Sequence, residues 1–296
     1  MRLIRIYVAL LGVISLETVA AEDSNSRGLL IFTERIYGSG SSLGLITKFD
    51  TAIGYQLNPY VAIEGGVPFY LVHPSNTVTT TTGTSGHSGI GNVYADVRLS
   101  VANPLVNYTS MLTVAAPTGD KSTGFSTGRP TFDWSNWFDH SFSRLTPFVN
   151  VGFANTIADT PYFVRPFSSF GYITHVEGGA SYKIARHASV GASVYGIAPS
   201  GQQRVFSKLV KAGGPPAGNQ GRGRSGHQGV FETASETVGA ADIARDHGFS
   251  AWFAASPSKY AEVEIGYSRS AEYALDSIFF GVSFNLRSLF GDPRHR

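Results

Sequence analysis

The sequence predicts an all-β fold: a closed transmembrane barrel of about twelve antiparallel strands running up and down. Three features carry that expectation. Long segments alternate apolar and polar residues at period two, the connections between them alternate short and long, and the chain opens with an export leader. Composition narrows the choice further. Charged residues make up 15% of the 296 residues, against about 25% in ordinary soluble domains, and Gly reaches 34. Beyond the leader no apolar stretch of about 20 residues exists, so a bundle of membrane helices is excluded. With 20 Phe, 14 Tyr and 3 Trp the chain is not disordered throughout. A net charge of +2 makes no case for nucleic acid. The absence of Cys removes disulfides, thiolate zinc sites and cysteine nucleophiles.

Arg2 and Arg5 precede an apolar run from Ile6 to Leu16, and Val19-Ala20-Ala21 supplies small residues before Glu22. These are the three parts of a signal peptide over 1–21, leaving 22–296 as a single barrel domain of a Gram-negative outer membrane. The apolar core is too short to span a bilayer.

The strand grammar is clearest from Leu43, where Leu45, Thr47, Phe49, Thr51, Ile53 and Tyr55 take odd positions between Gly44, Lys48, Asp50, Ala52 and Gln56. Successive side chains of a strand point to opposite faces, so this segment has one apolar face and one polar or small face. The pattern recurs and gives twelve candidate strands near 28–36, 42–57, 60–72, 89–102, 107–117, 129–142, 145–156, 170–184, 188–199, 247–256, 260–269 and 276–286. The first has no clear parity, and the strand near 129–142 carries Asn136 and His140 on its apolar face.

Short connections such as Asn58-Pro59 and Ser143-Arg144 alternate with longer ones at 73–88, 118–128, 157–169 and 200–246; 37–41 and 270–275 are modest. Short periplasmic turns and long outer loops produce this sorting in an outer-membrane barrel, whereas a soluble sandwich has no cause for it. In hydrocarbon every backbone polar group needs a partner, and strands find one only in a closed sheet. Outward Tyr55, Tyr108 and Tyr182 fall near the short-turn ends, where an interfacial girdle belongs.

Parity sends Lys48, Asp50, Glu64, Asp96, Arg98, Asp133, Asp139, Glu177, Lys183, Glu262 and Glu264 to the lumen, eight acids against three bases. They read either as an internal salt-bridge network filling the barrel or as the wall of a cation-favouring, small-solute path, lined also by Tyr70, Tyr94, Phe148, Trp252 and Phe279. His175 and Glu177 share a face two residues apart, which permits a hydrogen-bonded or metal-binding pair. The long outer loop 200–246 is rich in Gly and Pro, and its basic half holds Arg204, Lys208, Lys211, Arg222 and Arg224. Such a loop either lies over anionic lipopolysaccharide or folds back as a constriction.

Several segments resemble one family. The run Gly89-Ile90-Gly91-Asn92-Val93-Tyr94-Ala95-Asp96-Val97-Arg98, then Ala116-Pro117-Thr118-Gly119-Asp120, with Glu64 to Tyr70 and Ser126 to Pro130, is similar to the barrels of the MetA pathway of phenol degradation. Family members usually carry Asp where Asn92 stands. The resemblance spans about 42–286, rests on glycine and turn patterns, and implies a transporter-like outer-membrane barrel linked to uptake of aromatic or other hydrophobic compounds.

The expected function is passage or binding of small solutes by passive diffusion. The rival is a structural or adhesive surface barrel with a filled lumen. A membrane hydrolase is disfavoured, because His140 and its neighbours Ser141 and Ser143 sit by a periplasmic turn and adjacent residues face opposite ways. Glycine-rich stretches lack phosphate-loop spacing. No catalytic residue, metal site or cofactor is expected. Expected partners are outer-membrane lipid and lipopolysaccharide, the barrel-assembly machinery and periplasmic chaperones, and small solutes, with no nucleic acid.

Overall fold

A computed structural model describes residues 29–83, 85–212, 230–258 and 260–285. The leader, Arg222 and Arg224 lie outside the described residues. The strands are β1 (Leu29–Ser41), β2 (Gly44–Gln56), β3 (Val61–Pro74), β4 (His87–Ile90), β5 (Tyr94–Val101), β6 (Asn107–Ala115), β7 (Thr131–Asp139), β8 (Leu145–Ala154), β9 (Phe167–Phe170), β10 (Ile173–Ala185), β11 (Ala188–Pro199), β12 (Gln203–Ser207), β13 (Glu236–Gly239), β14 (Asp246–Ser258), β15 (Ala261–Ser270) and β16 (Leu275–Asn285).

Thirteen of these share one antiparallel sheet, in which β1 pairs with both β2 and β16 and so closes the ring. Short β4 shares the edge of β3 with β5, β4 covering Phe69 to Val72 and β5 covering Val61 to Gly66, so the barrel proper has twelve strands. Closure leaves no free edge and satisfies the backbone internally, as hydrocarbon requires. The outer face carries an apolar belt that includes Ile53, Ile63, Val97, Leu112, Val149, Val176, Val194, Phe253, Ile265 and Ile278, all exposed. Water would make such a belt unstable; lipid makes it the reason the fold holds.

Two strands differ from expectation. β1 runs through Ser41, and only Ser42 and Leu43 connect it to β2. Gly38 and Ser39 look like a loop in sequence, but a side chain at Gly38 would collide with the Phe280 ring on the neighbouring strand, so glycine there is a packing requirement. The segment 89–102 breaks at Gly91 to Val93. There the Gly91 amide donates to Pro68 O at 2.7 Å, the Ala116 amide to Val93 O at 2.8 Å, and the Gly119 amide to the Asn92 side-chain oxygen at 3.2 Å. The two stretches that carry the family resemblance thus clasp each other, with the backbone of Gly91 against Gly119. Asn92 supplies the acceptor oxygen that an Asp would supply.

Short turns follow local chemistry. The Asn58 side chain accepts from the amides of Tyr60 and Val61 at 2.8 and 2.9 Å, an Asx turn that ends β2 and starts β3. The loop after β3 contains one helix, α1 (Asn76–Thr82), begun by Ser75 and ended by left-handed Gly83. The expectation of an irregular loop over 200–246 is corrected in part: its described portions form β12 and β13, which join β9 in a three-stranded sheet.

Candidate functional site

The barrel interior is divided into three levels. At the outer mouth, the segment 155–170 and the start of the loop after β11 fold inward as a plug. Phe163, Val164, Phe167, Val205, Leu209 and Phe231 form one buried cluster with Phe125 and Tyr273. The charged side chains taken down with this apolar mass are paired. Arg165 donates to Asp246 at 2.9 Å, and Asp246 also accepts from Tyr195 at 3.0 Å and Ser270 at 2.6 Å. Asp159 accepts from Tyr70 at 2.8 Å, from the Arg165 amide at 2.9 Å and from Lys208 at 3.1 Å. The Lys208 ammonium also lies 4.5 Å from the Tyr70 ring centre. The Val164 amide donates to Ser39 of the wall at 2.8 Å.

Burial pushes the Asp159 carboxyl up, yet the charges of Lys208 and Lys48 and the donors Arg165 N–H and Tyr70 O–H outweigh it and hold the group below its ordinary range. At Lys208 burial outweighs Asp159 and draws the ammonium down. Arg165 is pushed up, because Tyr195 and Asp246 overcome the cost of its burial.

Below the plug lies an aromatic level. Tyr162, hanging from the plug, stacks on Trp252 at 4.4 Å between centres and 18° between planes, and its ring is 5.6 Å from Phe279. Phe148 is 6.3 Å from Trp252 and stacks on Trp137 at 4.6 Å. Glycines make this possible. A methyl group on Gly191 would lie 2.3 Å from the Trp252 ring, one on Gly266 would meet Phe279, and one on Gly179 would lie 2.8 Å from Phe148. The rings lie flat on bare backbone.

The lowest level is charged. Arg35 donates to Glu64 at 2.9 Å and approaches Asp50 at 3.7 Å; Lys48 is 3.6 Å from Asp50, and Tyr94 donates to Asp50 at 2.9 Å. Asn107 donates to Asp139 at 3.0 Å. Asp96, Arg98 and Glu177 occupy the inward positions parity assigns, half-buried, while Lys183 is exposed near the periplasmic end. Glu262 and Glu264 are buried on the inner face of β15.

The structure therefore brings together Lys48, Asp50, Glu64 and Tyr94 in one network, and Phe148, Trp252 and Phe279 in one aromatic level. Tyr70 belongs to the plug anchor. Of the basic loop residues, Lys208 goes inward, whereas Arg204 pairs with Glu236 at 3.2 Å in the small sheet and Lys211 stays half-exposed. The spacing permits a His175–Glu177 pair, but His175 lies 3.3 Å from Asp133, with β8 between their two strands. Among the described residues no cluster of metal-ligating side chains occurs. His140 packs on Phe142 and Ser141 bonds to Thr146, so they form no nucleophile–base pair. Sequence reasoning missed Arg35, whose strand lacked visible parity, and Asp159, Tyr162, Arg165 and Asp246, which pair only through long-range folding. The unalternating apolar run around Val205, Phe206, Leu209 and Val210 was a readable sign of a buried segment.

No family model matches the sequence, and no curated protein is similar to it. Solved structures are similar in fold. An outer membrane channel from Pseudomonas putida F1 superposes with a TM-score of 0.53 at 10% identity, over 88% of this chain and 96% of that one. This chain has an outer-membrane barrel fold. The NanC porin gives a TM-score of 0.48 at 8% identity over 86% and 98%, and the CymD monoaromatic hydrocarbon channel 0.42 at 7% over 88% of each. With its lipid-facing belt, the barrel is a bacterial outer-membrane protein.

Proposed function

We propose that the protein is a channel through which small, partly apolar solutes diffuse passively, without catalysis or a bound cofactor. One observation carries this reading: the interior holds an aromatic constriction seated on glycines, between a plugged outer mouth and a charged lower chamber. A barrel that only needed filling would be packed more simply by side chains from every strand. Gly179, Gly191 and Gly266 instead flatten the rings against the wall. The surplus of inward carboxylates favours cations over anions in the lower chamber. The resemblance to the phenol-degradation barrels agrees with a partly apolar cargo. Export by the leader at 1–21, folding through periplasmic chaperones and the barrel-assembly machinery, and an outer surface set among lipopolysaccharide belong to the same reading.

The plug favours a second reading, a closed structural barrel, because its core is apolar and its ion pairs are buried. Planar-bilayer recording of the purified protein separates the two. The channel reading expects resolved current steps, cation-selective in a salt gradient. Silence both in the native protein and after loss of the Arg165–Asp246 anchor would establish the closed barrel.

A further inference from the structure

We infer that the aromatic level and the carboxylates beneath it form a subsite for an organic cation, an ammonium carrying apolar or aromatic substituents. The inference rests on the channel reading and names its cargo class. Glu264 is 6% exposed, and among the described residues it has neither a hydrogen-bond donor nor a cationic partner. Its carboxylate oxygen and the Tyr37 ring both lie over Gly281, each within 3.5 Å of where a side-chain carbon there would stand. Glu262, the next inward residue of β15, adds a second buried acid rather than a counter-charge.

The aromatic rings sit directly above. Trp252 is paired with Gly266, one inward position from Glu264, and Tyr162 covers Trp252. The Tyr162 phenol is pushed up by burial and then by Glu264 and Glu177. An unpaired buried carboxylate is costly unless something neutralises it. Elsewhere in the lumen Arg35 and Lys48 do so from the wall. Here no basic side chain among the described residues does so, and the nearest groups are the rings of Tyr37, Tyr162 and Trp252, which attract a cation through their quadrupoles. An inorganic cation would gain little from the rings, and an anion would be repelled by both acids.

The test uses the full-length protein, refolded in detergent and checked by heat-modifiable migration. Binding of benzyltrimethylammonium is followed by tryptophan fluorescence and compared with benzyl alcohol and benzoate. The cation should bind about tenfold more tightly than the alcohol, and benzoate should not bind. Glu264→Gln, close in shape, should erase most of that tenfold preference, while Trp252→Phe should weaken the cation a few-fold and keep the fold. Equal affinity for cation and alcohol, or an unchanged preference in Glu264→Gln, would overturn the subsite. Conduction is measured separately. A barrel that binds the cation yet passes no current refutes the channel and keeps the subsite; one that conducts and binds no cation refutes the subsite alone.

Discussion

The outer and periplasmic halves of this barrel share one wall and are stabilised differently. In the outer half, residues from distant loops build an apolar core inside the ring, and the two cations carried into it, Arg165 and Lys208, are tied down by Asp246 and Asp159. In the periplasmic half the inward residues are largely charged, and Arg35, Lys48, Asp50 and Glu64 pair across adjacent strands. The upper half is therefore a small folded core inside a barrel, and the lower half a charged wall. Damage above should open the plug and leave the barrel; damage to the lipid face should unfold the barrel and carry the plug with it.

The largest effect is expected from breaking the buried pair. Arg165→Ala leaves Asp246 in place, Arg165 being 3% and Asp246 1% exposed, and removing one member of such a pair costs about 3–5 kcal/mol. Current and protease sensitivity of 155–170 should rise while heat-modifiable migration persists. A variant that loses the folded band would show that plug and barrel are one cooperative unit. Next, Ile265→Arg on the lipid face should cost about 2–4 kcal/mol near the midplane, read as a lower denaturant midpoint of the whole barrel. Loss of the plug alone in that variant would contradict the division.

Gly191→Ala should be smaller, about 1–3 kcal/mol, because the new methyl displaces the Trp252 ring. Its reading is a changed tryptophan spectrum with altered current. Acid gives a graded test. The Asp159 carboxyl lies below its ordinary value near about 4, so its anchoring contribution is complete above that pH and is lost as pH falls through the depressed value. Current should stay flat down to about pH 4 and rise only below it. A rise beginning well above that range would assign the plug's hold to another group. The smallest effect belongs to Lys121 and Glu236, a half-exposed pair 3.1 Å apart: Glu236→Gln should change stability by about 0–1 kcal/mol and leave the current unchanged.

The same division explains what was legible in the sequence. Strand positions and parity were, because a lipid-facing side chain and its inward neighbour are chosen by opposite solvents, as at Ile53 and Gly54 or Ile265 and Gly266. β1 was harder to read. Glu34 faces outward, bonded at 2.5 Å to Thr51 of the next strand, while Tyr37 faces inward, so its polarity pattern is scrambled. The plug left little trace, since Phe163, Phe167, Val205 and Phe231 are buried by one another across loops and follow no period. The lower chamber's charges could be named from parity, but their partners could not: His175 reaches Asp133, not Glu177.

The seam between β1 and β16 has a kinetic consequence. It joins the first and last described strands of the ring, with Thr33 opposite Asn285 and Ser41 opposite Ser277. The segment from Leu29 through Asn285 must therefore all be in place before the ring can shut. Until then the nascent sheet keeps two raw edges and an apolar flank, the state most prone to pairing with a neighbour's chain. Contacts so remote in sequence also form slowly. The interval between synthesis and closure, rather than the finished cylinder, is where this molecule is most vulnerable.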